Sequence, residues 1–126
     1  NKNKDEILNY SRDVPGIITT GNDSSQWKFS IDNFTSSSRQ TSSGSFGIGY
    51  ATISGGYLMN ELDSLYIWPG SSFSANMILI NKKGEHLAAV AYNQKHPDIW
   101  IRNDIEQSYQ QAIAAFFAVI ISIKDF

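Results

Sequence analysis

The chain has 126 residues, of which 41% are hydrophobic, and its formal net charge is −2 at pH 7. A chain of this length buries enough apolar surface to fold unaided, so we expect one domain over residues 1–126. Ten basic residues against twelve acidic ones argue against a nucleic-acid partner, because phosphate neutralisation needs a clustered positive surface and Lys82 and Lys83 are too few to form one. The absence of cysteine excludes disulfides, thiol nucleophiles and thiolate metal sites.

The chain begins with a predicted short helix. From Lys4 to Arg12, three apolar residues stand among charged ones, which is typical of an amphipathic helix. Val14-Pro15-Gly16 then ends it, because a proline restricts the residue before it.

Two strands and a loop are predicted next. Trp27, Phe29 and Ile31 alternate with polar residues, which is the period of a half-buried strand. The polar stretch Thr35–Gly44 predicts a hairpin loop or an edge connection, and its order stays open. Bulky residues alternate with small ones over residues 46–50, which predicts a second strand with one bare face.

The middle of the chain predicts two more strands. Gly55-Gly56 indicates a turn, and Tyr57–Met59 starts the strand that follows it. Asn60–Asp63 interrupts that strand, and Ser64–Trp68 forms another one before Pro69-Gly70.

The strongest strand signal lies in the C-terminal third. Met77–Ile80 and Leu87–Tyr92 are nearly continuous apolar runs, and Asn81–Gly84 separates them as a tight turn. Because the runs are continuous rather than alternating, this hairpin should lie in the middle of a sheet. Ile99–Arg102 predicts one further strand.

The only long predicted helix follows this strand. Asn103 and Glu106 have the spacing of a capping box. Apolar residues then recur in steps of three and four and place one face in the core: Ile105, Tyr109, Ala112, Ile113, Phe116, Ile120 and Ile123. We expect a helix through at least Phe117, and residues 119–123 remain open between helix and strand. The apolar run is shorter than the roughly 20 residues of a membrane span.

Together these elements predict an α+β domain. Its sheet is mostly antiparallel, with about six to seven strands, because the links between strands are short. A short N-terminal helix precedes the sheet, and the longer C-terminal helix packs on one of its faces.

No catalytic, metal or cofactor site is predicted. The glycines of residues 44–49 fall within a strand pattern rather than at a strand-to-helix turn, which argues against a phosphate loop. His86 and His96 have no metal-ligand spacing, and no Gly-x-Ser-x-Gly elbow presents a nucleophile. We therefore expect a protein that is not an enzyme.

One cluster predicts a contact surface for another protein. Glu61 and Asp63 lie in sequence beside Tyr57, Tyr66 and Trp68. Acidic groups interleaved with aromatic rings suit the surface of a basic partner. The alternative is that Tyr66 and Trp68 belong to a two-sided core.

These features predict a soluble, non-enzymatic protein-binding domain. The sharpest form of this hypothesis is a bacterial immunity protein that neutralises a basic toxin. The alternatives are a dimer that resembles the secretion chaperones, and an extracytoplasmic module that binds a lipid or a sugar through aromatic side chains, for which Trp27, Trp68 and Trp100 are the candidates. A cytoplasmic protein is expected, and a periplasmic or secreted one stays open because the chain starts at Asn1 rather than Met. The oligomeric state is not predicted.

Overall fold

A computed structural model of the chain describes residues 5–21, 25–41, 50–69 and 77–124. Within these ranges the chain forms eight strands and one helix. They are β1 (Asp5–Thr20), β2 (Ser25–Thr41), β3 (Tyr50–Thr52), β4 (Gly55–Met59), β5 (Ser64–Pro69), β6 (Met77–Ile80), β7 (His86–Ala91), β8 (Asp98–Ile101) and α1 (Gln107–Lys124).

The strands form one antiparallel sheet in the order β1-β2-β4-β5-β6-β7-β8, and the short strand β3 pairs with β2. The predicted hairpin of β6 and β7 does lie inside the sheet. Its turn closes as expected, since Gly84 has a φ of 82° and its N–H donates to the Asn81 carbonyl at 3.0 Å. The α+β class and the antiparallel sheet are therefore confirmed.

The helix α1 covers the inner face of the sheet. The sheet curls, and α1 contacts strands near both of its ends, namely β1, β2 and β8. Phe116 and Phe117 are fully buried, and the Phe116 ring packs edge-on against Phe29, with ring centroids 5.4 Å apart. The outer face of the sheet is the one that α1 does not cover.

The predicted N-terminal helix is wrong, because residues 5–20 form the edge strand β1. This strand pairs along its length with β2, from Asp5 opposite Thr41 to Thr20 opposite Ser25. A helix of this length is only marginally stable by itself, whereas the long partner strand satisfies the backbone groups along one side of β1. Pro15 is tolerated because an edge strand has backbone N–H groups that need no ladder partner.

The predicted loop over Thr35–Gly44 is also wrong where the structure describes it. Residues 35–41 continue β2 and pair with β1. Serine and threonine give no apolar alternation, but they form ladder hydrogen bonds like any other residue. The rest of that stretch and the predicted strand at residues 46–49 lie outside the described residues, and β3 begins at Tyr50.

Gly55 and Gly56 belong to β4 rather than to the predicted turn. Gly56 lies opposite Ile31 of β2, and a Cβ atom built on it would lie 2.1 Å from the Ser30 carbonyl oxygen. The glycine pair therefore permits a close approach of two backbones.

The start of α1 differs from the prediction, and its C-terminal end decides between the helix and the strand that the sequence left open. The capping box at Asn103 is wrong, since the helix begins at Gln107 and the Glu106 carbonyl accepts the N–H groups of Tyr109 and Gln110, both at 3.0 Å. The helix continues through Phe117 as expected and ends at Lys124, so residues 119–123 are helical.

Candidate functional site

The outer face of the sheet brings aromatic side chains from separate strands together. Tyr57 of β4 lies directly opposite Tyr66 of β5, and Tyr66 lies opposite Ile80 of β6. On the next strand, β7, His86 lies opposite Ile80. Because directly opposite residues share a face, this row lies on the outer side of the sheet.

A second row crosses the same face. Trp68 of β5 lies opposite Ile78, Ile78 lies opposite Ala89, and Ala89 lies opposite Trp100 of β8. The two rows touch, since the Trp68 and His86 rings are 6.3 Å apart at 79°. We name the resulting surface the outer aromatic face and define it by Tyr57, Tyr66, Trp68, His86 and Trp100.

Exposure separates this face from the core. Tyr66 is 41% exposed and Trp68 is 55% exposed, whereas Leu65 and Ile67 on the same strand are 0% and 7% exposed. The side chains of β5 therefore point alternately into the core and into solvent. This arrangement contradicts the two-sided core that the sequence left open for Tyr66 and Trp68.

The two predicted acidic residues lie apart from these rings. Glu61 and Leu62 are exposed at the tip of the turn between β4 and β5, which the Asn60 side chain closes. Asp63 instead faces the helix, and its Oδ2 accepts a hydrogen bond of 3.0 Å from the Tyr109 hydroxyl. The structure thus brings Tyr57, Tyr66 and Trp68 together, and leaves Glu61 at the tip of the turn and Asp63 on the inner side.

The bond to Asp63 also affects the acidity of the tyrosine. Burial, followed by the hydrogen bond to Asp63, raises the pKa of Tyr109 above its ordinary value. The Trp27 ring packs edge-on against Tyr109, with centroids 4.9 Å apart. These contacts make Asp63 part of the connection between helix and sheet.

Sequence reasoning missed His86 and Trp100 as members of the face. In the sequence, Trp100 is a candidate only for a sugar or lipid site shared with Trp27 and Trp68, and His86 is only a histidine without metal-ligand spacing. Their placement follows from the pairing of β6, β7 and β8, which depends on a register shift between Leu79 and Ile80. Counting alternate residues from Trp68 across the hairpin could have suggested Trp100, but it could not have predicted that shift.

Other candidate chemistry does not assemble in the part of the chain that is described. No group of three or more His, Cys, Asp or Glu residues there has the arrangement of a metal site. Trp27 is fully buried, so it cannot contribute to a surface with the other two tryptophans. Among the described elements, no helix is both long enough and apolar enough to cross a lipid bilayer.

Comparison of the chain with models of known protein families, with curated proteins and with solved structures gave no match.

Proposed function

We propose that this chain is a non-enzymatic domain that binds another protein through the outer aromatic face. The observation that carries the proposal is the exposure of Tyr66 (41%) and Trp68 (55%) on β5, an interior strand of the sheet. Each ring leaves a large apolar area in water, and a partner that covers it gains the corresponding transfer free energy. Tyrosine and tryptophan are also the side chains that dominate the energetics of protein interfaces.

The sharper form of the proposal is an immunity protein that neutralises a basic toxin. Its support is the net charge of −2 and the exposed carboxylate of Glu61 beside β5. The charges that the described strands add to the outer side are mixed: Lys28 of β2 and Arg102 after β8 are basic, and Asp32 of β2 and Asp98 of β8 are acidic. Local charge therefore favours a protein partner in general, and the overall charge favours a basic one.

A lipid- or sugar-binding module is the second candidate. Two tryptophans, Trp68 and Trp100, are exposed on the same face, and amphipathic indole rings also stack on sugars and insert at lipid interfaces. A dimer that resembles the secretion chaperones remains the other alternative. The lipid- or sugar-binding module differs from the first candidate in what covers the face, whereas the chaperone-like dimer is proposed to pair through its C-terminal helix.

The test uses the whole domain as immobilised bait in a lysate of its source. Captured proteins are identified by mass spectrometry, and the isolated partner is then titrated by calorimetry. We expect a stoichiometric protein partner whose affinity falls at least about 100-fold for the double variant Tyr66→Ser/Trp68→Ser.

The matched control is Leu62→Ser. Leu62 is 86% exposed at the tip of the β4–β5 turn, away from the rings, so this variant should bind like the original chain. An undiminished affinity of the double variant would contradict the proposed surface. Recovery of a lipid or a sugar on the bait, with no protein, would favour the second candidate instead.

A further inference from the structure

The edge strand β8 has backbone groups along one side that no other described strand pairs with. β8 is the last strand of the sheet, and among the described strands it pairs only with β7. The Arg102 N–H donates to the Leu87 carbonyl at 2.9 Å, so the backbone groups of Trp100, two residues earlier, also face β7. The N–H and C=O groups of Ile99 and Ile101 therefore point away from β7, toward the open edge.

The two edges of the sheet differ in how they are protected. β1 carries a register shift between Arg12 and Val14, and Pro15 follows it, and both features hinder the addition of a strand. β8 pairs without a register shift and has no proline or lysine between Asp98 and Ile101. Its apolar side chains are nevertheless exposed, at 42% for Ile99 and 44% for Trp100. Although β8 is only four residues long, an apolar edge without a bulge, a proline or a lysine within the strand is a template for another strand.

We propose that β8 pairs with β8 of a second copy of this chain, in an antiparallel dimer whose two-fold axis passes beside Trp100. In that register the two Trp100 residues lie opposite each other, and Ile99 lies opposite Ile101 of the second copy. Each such Ile99–Ile101 pair exchanges both of its backbone hydrogen bonds, because these are the residues whose groups face the open edge. Opposite residues share a face, so the isoleucines extend the inner side and the tryptophans the outer side.

Charge complementarity selects this register. It places Asp98 opposite Arg102 of the second copy, and the symmetry repeats the pair. Arg102 already binds Asp104 through Nε at 2.9 Å and Nη2 at 2.6 Å, but a guanidinium has further donors for a second carboxylate. An axis at Ile99 would place Pro97, which has no N–H, at a hydrogen-bonding position, and would leave Asp98 opposite Trp100.

The dimer joins two sheets into one and makes the outer aromatic faces of both copies continuous through Trp100. It does not depend on the proposed function, whose decisive residues are Tyr66 and Trp68 on β5. If the free chain is a monomer at all concentrations and still binds a protein through Tyr66 and Trp68, the proposed function stands and the dimer does not.

The first test is the mass of the intact chain in solution, measured by sedimentation from about 1 µM to 1 mM. We expect a reversible dimer, and we expect Trp100→Lys to be monomeric because it places two like charges opposite each other. The matched control Trp68→Lys makes the same change on the same face, away from the edge, and should dimerise normally. A monomer at all concentrations, or a dimer that Trp100→Lys leaves intact, would overturn the proposal.

The second test uses the absence of cysteine from the sequence. Opposite residues of an antiparallel pair have the Cα separation that a disulfide requires, so Trp100→Cys should cross-link to a second copy under mild oxidation. Asp98→Cys is the control on the same strand, since its counterpart in the second copy lies several residues away. We expect cross-linking at least about ten-fold faster at position 100. Equal rates would contradict the register.

Discussion

The Tyr109 hydroxyl, in the first turn of α1, donates a hydrogen bond of 3.0 Å to Asp63 Oδ2 in the turn between β4 and β5. The bond therefore joins the start of the helix to the inner side of the sheet. Asp63 also accepts the Ser64 N–H through Oδ1 at 3.1 Å, which holds the carboxylate in place.

We predict that Tyr109→Phe lowers the free energy of unfolding by about 1–2 kcal/mol, because it removes a hydrogen bond to a carboxylate. A double-mutant cycle with Asp63→Ala, measured by urea unfolding, should give a coupling energy of at least about 0.5 kcal/mol. Tyr66→Phe is the matched control, since that ring is exposed on the opposite face, and it should be nearly neutral. A coupling energy indistinguishable from zero would mean that the bond contributes nothing to stability.

Truncation of Phe116 should destabilise the domain strongly. The side chain is fully buried between α1 and the sheet, where it packs against Phe29. Phe116→Ala should lower the free energy of unfolding by roughly 3–5 kcal/mol, from lost burial and the cavity that remains. Ala118→Ser on the exposed side of α1 is the control, and it should change stability by less than about 0.5 kcal/mol. A small effect of Phe116→Ala would show that α1 does not dock on the sheet as described.

The neighbours Gly55 and Gly56 should respond very differently to alanine. A Cβ at Gly56 would meet the Ser30 carbonyl oxygen at 2.1 Å, and Gly56 has a φ of 146°, whereas a Cβ at Gly55 meets nothing within 4 Å. Gly56→Ala should therefore cost at least about 2 kcal/mol in thermal or urea unfolding. Gly55→Ala should stay within about 0.5 kcal/mol of the original chain. Similar effects at both positions would contradict the close approach of β2 and β4.

The elements that sequence reasoning predicted correctly are those with apolar periodicity. Trp27, Phe29 and Ile31 are buried as their alternation predicted, and the buried stripe of α1 follows its steps of three and four. Residues 35–41 have no apolar residue at all, so their pairing with β1 was not predictable from pattern. Residues 5–20 likewise form a strand despite their weak helical pattern, because they pair with the distant strand β2.

The candidate site was predictable only within one hairpin. Tyr57, Tyr66 and Trp68 lie on adjacent strands joined by a short turn, so their common face follows from local sequence. Asp63 lies two residues before Leu65, so its side chain is expected on the same, inner side of the sheet as α1. Its hydrogen bond to Tyr109 could not be predicted, because it depends on where α1 packs. Trp100 joins the face through two intervening strands, and a bulge between them fixes the register.

Stability should fall at high pH in a way that depends on Tyr92. Burial raises the pKa of Tyr92 to about 12, compared with about 10 for an unfolded chain. A raised pKa means that the folded state holds the hydroxyl proton more tightly. The resulting contribution is complete below about pH 10 and is lost as the pH rises through about 12.

We therefore expect the free energy of unfolding to fall between about pH 9 and pH 11 in both chains. The decrease should be about 1–1.5 kcal/mol larger in the original chain than in Tyr92→Phe, which has no hydroxyl at this position. The measurement is urea unfolding of both chains at each pH, and Tyr109, whose pKa is also raised, is present in both. Tyr66→Phe, which removes an exposed hydroxyl, should follow the pH dependence of the original chain. Identical pH dependence in Tyr92→Phe and the original chain would show that burial of Tyr92 does not oppose its ionisation.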